Sequence, residues 1–167
     1  MKCSLTMKPI ATSLLVFLSL MLSTSALAQT WATAQSRNPG NGHVIVFRYV
    51  QTFAPSFSKA QQPTRVIVTW PYTSENGMPS PAERKRMDEL EDQLAPAVEA
   101  TGVATLALVS TGEGLREWTY YAKSEQAFLG KVNQALQRHP KFPIDIHVAQ
   151  DKAWRTHEQF VQQVQKP

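Results

Sequence analysis

Six residues in the second half of the chain have the types that recognise ligands: Arg116, Trp118, Tyr120, His147, Asp151 and Trp154. The first three alternate along Leu115–Tyr121, so on a strand they share one face, opposite Leu115, Glu117, Thr119 and Tyr121. A guanidinium set between aromatic rings is a frequent anchor for small ligands and partner proteins. Two destinations are open for Trp118. It can fill the core with Trp70, leaving Arg116 to pair with Asp151 or Glu117. Alternatively it can lie on an open sheet face beside Arg116 and Tyr120, where Arg65 or His147 would complete an amphipathic platform. Aromatic residues on central strands more often fill cores. The platform is nevertheless the leading functional expectation: a non-catalytic binding or interaction domain using the open sheet face.

Catalytic chemistry has less to stand on. The only cysteine is Cys3, no Gly-x-Ser-x-Gly elbow occurs, and Gly112-x-Gly114 lacks a third glycine and opens a strand rather than a helix. The four histidines, His43, His139, His147 and His157, lie on different elements without metal-ligand spacing. Asp145, His147 and Asp151 would need a further ligand to hold a metal, so neither metal nor cofactor is expected. The alternative to binding is a small hydrolase-like enzyme with an acid/base carboxylate pair near Asp151 and Glu117. A third reading has an exposed edge strand near 43–50 adding to a partner's sheet.

The elements that must position these residues follow from periodicity. His43–Val50 and Thr64–Tyr72 read as strands, the second nearly apolar through its middle, as a buried central strand is. Trp31–Ala34 has the character of a short edge strand. Ser80, Pro81 and Glu83 form the start of a helix with a capping box, and Met87, Leu90, Leu94 and Val98 supply its apolar stripe. Pro96 should end or kink that helix. Val103–Ser110 and Leu115–Tyr121 flank a Gly-x-Gly turn as a hairpin. Ser124 caps a second helix, halted by Pro140. Phe142–Val148 alternates, with Phe142, Ile144, Ile146 and Val148 inward, and a last helix follows Asp151. From residue 64 the order is β-α-β-β-α-β, which predicts an α+β, ferredoxin-like antiparallel sheet with 64–72 beside 115–121. An added N-terminal strand would extend the sheet, and the C-terminal helix would cover an edge or part of the open face.

The amino terminus has the plan of a secretory signal. Lys2 and Lys8 precede an apolar run from Ile10 to Leu22, and Ala26-Leu27-Ala28 offers a cleavage site. Residues 1–28 are therefore expected to be a signal peptide cleaved after Ala28. Residues 29–167 would form a single domain, core about 43–163, in the bacterial periplasm or secreted, with no membrane attachment after cleavage. Losing Lys2 and Lys8 lowers the formal charge from +4 to +2, too little to favour nucleic acid. Arg84-Lys85-Arg86 lies among acidic residues and reads as a solvated helix face. The expected partner is an envelope protein or a small ligand.

Several ordered pieces resemble a known group. They are Trp70-x-Tyr72, Gly77-x-Pro79, Leu90-Glu91-Asp92, Thr111-Gly112 with Gly114-x-Arg116-x-Trp118-x-x-Tyr121, and Asp151-x-x-Trp154. Together the set resembles the domain of unknown function 695 family across most of residues 31–163. Where such domains show Asp-Pro-x-Trp and a tyrosine three residues later, this chain has Lys152 and His157. The resemblance implies a compact α+β domain and carries over no catalytic residue, cofactor or substrate.

Overall fold

The computed structural model describes residues 29–166, and the signal-peptide reading of 1–28 lies outside the described residues. Six strands form one antiparallel sheet: β1 (Thr30–Arg37), β2 (Val44–Thr52), β3 (Thr64–Pro71), β4 (Ala104–Gly112), β5 (Leu115–Ala122) and β6 (Asp145–Gln150). Three helices accompany them: α1 (Pro81–Leu94), α2 (Glu125–Leu136) and α3 (Arg155–Val164). The spatial order is β1-β2-β4-β5-β3-β6, which makes β3 and β5 neighbours as the sequence predicts. The fold is α+β.

Both main helices start where their capping residues stand. Ser80 Oγ accepts the N–H of Glu83 at 3.2 Å, and Ser124 Oγ accepts that of Ala127 at 3.2 Å. The expected capping box is only half used, because Glu83 turns its carboxylate to the indole N–H of Trp70 at 2.6 Å. As Pro96 predicts, the α-helical run ends at Leu94, with Ala95 as its C-cap. Ala95–Glu99 continues α1 as a π-helical turn, in which the bonding shifts to i→i−5, as in Ala100 N–H to the Ala95 carbonyl at 3.1 Å.

Helices α1 and α2 cover one face of the sheet. Met87, Leu90, Leu94, Phe128 and Val132 close over Val66, Val68, Trp70, Trp118 and Tyr120. Phe142, Ile144, Ile146 and Val148 join this core, as their alternation predicts, although β6 begins only at Asp145, two residues beyond Pro143. The opposite face is not left open. Tyr121, next to Tyr120 and therefore on the other side of the sheet, stacks on Trp154 with centroids 3.8 Å apart and planes 6° apart. Phe53 and Phe57 pack against this pair, and Phe160 of α3 lies over Phe47 and Tyr49. Helix α3 thus covers the β2–β4–β5 part of the second face. Strand β2 is not an edge, since β1 pairs with it along its whole length, so strand addition at 43–50 is closed. Among the described residues no helix is long and apolar enough to cross a membrane.

Candidate functional site

The expected platform is not assembled. Trp118 and Tyr120 are fully buried beneath α1 and α2, and Arg116 is 9 % exposed on the same face. His147 is exposed on β6 and pairs with Ile67, so it looks out from the opposite side of the sheet. Asp151 stands three residues before Trp154, the N-cap of α3, and its carboxylate satisfies the first turn: it accepts the N–H groups of Arg155 at 2.8 Å and Thr156 at 3.1 Å, and the Tyr121 hydroxyl at 2.8 Å. Burial alone would raise the Asp151 carboxyl, but these bonds outweigh it and hold it below its ordinary value. Trp154, fully buried, donates to the Gln62 carbonyl at 2.9 Å and acts as a wedge. The proposed acid/base pair also separates. Glu117 receives the Ser110 hydroxyl at 3.3 Å, four residues along β5 from the Tyr121 that holds Asp151, about 13 Å at the usual strand rise.

Of the six, Asp151 lines a small hollow of about 310 Å³ with Gln150, Lys152, Ala153 and Arg155, and Arg116 lines a larger groove. Because α1 and α2 cover the β3–β5 side, the β1–β2 hairpin extends the sheet beyond them. A strip of sheet on the helix side therefore stays uncovered, with α1 as its wall. Two cross-strand rows form the floor: Thr33–Arg48–Val109 and Val46–Thr111–Arg116. Arg84 and Asp88, one turn apart on α1, make the wall, and Met78 closes one end. The groove encloses about 400 Å³.

Its electrostatics are set by Glu91, a turn beyond Asp88. Arg116 is held in a fork, Nη1 on Asp88 at 2.9 Å and Nη2 on Glu91 at 3.0 Å. Glu91 also accepts the Trp118 indole N–H at 2.8 Å and pairs with Arg48. Burial would raise the Glu91 carboxyl, yet the hydrogen bonds from Arg48 and Trp118 and the charges of Arg48 and Arg116 hold it below the usual range. Further along the helix the Glu99 carboxyl is pushed up by burial, partly opposed by its bond from the Leu106 N–H, with the charge of Glu91 adding to the rise. The expected partners of a buried Arg116, Asp151 and Glu117, are replaced by two residues of α1. Arg84 has no ion-pair or hydrogen-bond partner for its side chain among the described residues.

Past Met78 the loop end of the groove carries a second polar cluster. His43 Nδ1 lies 3.3 Å from Glu113, whose other oxygen accepts from Asn41 at 3.0 Å. Glu113 has a left-handed φ of 53°, at the tip of the β4–β5 turn. Among the described residues no group of three or more His, Cys, Asp or Glu side chains is arranged to hold a metal ion.

Sequence reasoning missed Arg48, Arg84, Asp88 and Glu91. The i, i+4, i+7 spacing of Arg84, Asp88 and Glu91 was the available signal, since it places all three on one side of α1. What it could not supply was the sheet strip that this side overlooks.

These features define a small α+β domain with a charged groove between a helix and a sheet extension. The chain belongs to the family of unknown function DUF695, whose model matches residues 29–162. No curated protein and no solved structure matches it.

Proposed function

We propose that this chain is an exported, non-catalytic binding domain of the bacterial periplasm, with its ligand site in the groove between α1 and the β1–β2 hairpin. The observation that carries this reading is the convergence of Arg48, Arg84 and Arg116 from three elements onto one uncovered strip of sheet. Its volume falls in the range of small-molecule sites. The floor is apolar at Val46 and Val109, and polar groups sit at the wall, the usual division between affinity and orientation.

In this reading the β3–α1–β4–β5–α2–β6 portion is a ferredoxin-like unit, a reading supported by its strand order β4-β5-β3-β6. The β1–β2 hairpin is then the addition that creates the groove. Export rests on the amino-terminal charge, apolar run and Ala26-x-Ala28. A small ligand is the partner, with an envelope protein as the other outcome; nucleic acid and membrane are not part of the proposal.

A thermal-shift screen of sugars, nucleotides, amino acids and peptidoglycan fragments tests it. A ligand at about 100 times its dissociation constant stabilises by roughly 2.7 kcal/mol, several degrees for a domain of this size. The shift should vanish in Val46→Trp, which fills the floor of the groove from a partly exposed position. A shift that survives V46W overturns the groove as the site, and a flat screen overturns the small-ligand reading in favour of an envelope protein.

A further inference from the structure

We infer that the ligand of this groove carries a carboxylate, seated on Arg84, with an apolar body lying over Val46 and Val109; this rests on the groove being the binding site. Of the three guanidinium groups at the site, two are already committed. Arg116 spends both terminal nitrogens on Asp88 and Glu91, and Arg48 pairs with Glu91. Arg84 is exposed and lines the same groove without a charged partner among the described residues. Three guanidinium groups facing two carboxylates leave one positive charge, and the one cation without a partner is Arg84.

That count selects the ligand. One excess positive charge matches a monoanion, whereas a phosphate dianion would face repulsion from Asp88 and Glu91 with only one free cation to offset it. A planar pair of oxygens is also the geometric match for a guanidinium fork. The Thr111 hydroxyl on the floor offers a neutral donor near the same wall. The apolar part follows from Val46, which stays partly exposed on the hairpin side, beside Val109, which is buried at the edge of the core.

The test compares N-acetylvaline with N-acetylvalinamide, which share shape and differ in the carboxylate. Affinities come from the concentration dependence of thermal stability of the purified protein. The acid should bind about tenfold more tightly than the amide. Arg84→Gln, at an exposed position that leaves folding intact, should reduce that preference to near unity, while Lys85→Gln should leave it unchanged. Equal binding of acid and amide with sensitivity to V46W overturns the carboxylate and leaves the groove standing. Binding of either probe that V46W does not affect overturns both. No binding by either probe, or tighter binding of methyl phosphate than of the acid, overturns the carboxylate assignment.

Discussion

Glu91 of α1 and Arg116 of β5 meet at 3.0 Å, and the same carboxylate takes the indole N–H of Trp118 at 2.8 Å. This contact decides which face of β5 is inside. An arginine can lie under a helix only if its charge is matched there, and α1 provides the match one turn after another, at Asp88 and Glu91.

The two carboxylates should differ sharply on substitution. Glu91, with a side chain 17 % exposed, serves three donors, so Glu91→Gln should cost about 2–3 kcal/mol in urea unfolding. Asp88 is 55 % exposed at the side chain, and Asp88→Asn should cost less than about 1 kcal/mol. Equal losses would contradict the burial that distinguishes them.

Trp154→Ala should release the second face. The ring is fully buried, stacks on Tyr121 and meets Phe53 and Phe57 edge-on, so its loss should cost about 3–5 kcal/mol. Hydrogen exchange should quicken in α3 before it does in β3 and β5.

His157 should make stability fall in mild acid. Its Nε2 lies 2.8 Å from the Val50 carbonyl, so that nitrogen carries the proton, and its buried Nδ1 has no partner. Burial is the main cause of a folded pKa below the ordinary 6.5, with the charge of Lys59 adding to it. Above pH 6.5 the group is neutral folded or unfolded and stability is level. As pH drops below 6.5 the unfolded chain takes up a proton that the folded chain refuses, so stability declines down to the folded pKa. Glu91 acts lower, its contribution being complete above 4.5 and lost as pH falls through its depressed value. Chemical unfolding at stepped pH should show the upper decline disappear in His157→Gln.

The proposed export makes a mass prediction. The protein recovered from the periplasm should begin at Gln29, directly before β1, and intact-mass spectrometry reads this. Retention of residues 1–28 would contradict cleavage after Ala28.

Much of the fold was written in local signals. Ser80 and Ser124 cap their helices through bonds to residues three positions on, and the alternation at 142–148 points the apolar residues inward. The facing of β5 was not. Its two faces carry similar mixtures, Arg116, Trp118 and Tyr120 against Glu117, Thr119 and Tyr121, and the deciding partners lie on α1, far away in sequence. Strand β1 was only partly visible, because a polar edge strand is held mainly by backbone pairing and shows little apolar alternation. The groove combines both gaps, the facing of β5 and the reach of the β1–β2 hairpin.

The most direct test is a ¹⁵N–¹H chemical-shift titration with the first ligand from the screen. Binding in the groove should move the amides of Thr33, Val46, Arg48 and Thr111 and leave Ile67, Glu117 and His147, on the opposite face, in place. Shifts centred on Ile67, Glu117 and His147, with the groove silent, would contradict the groove as the site.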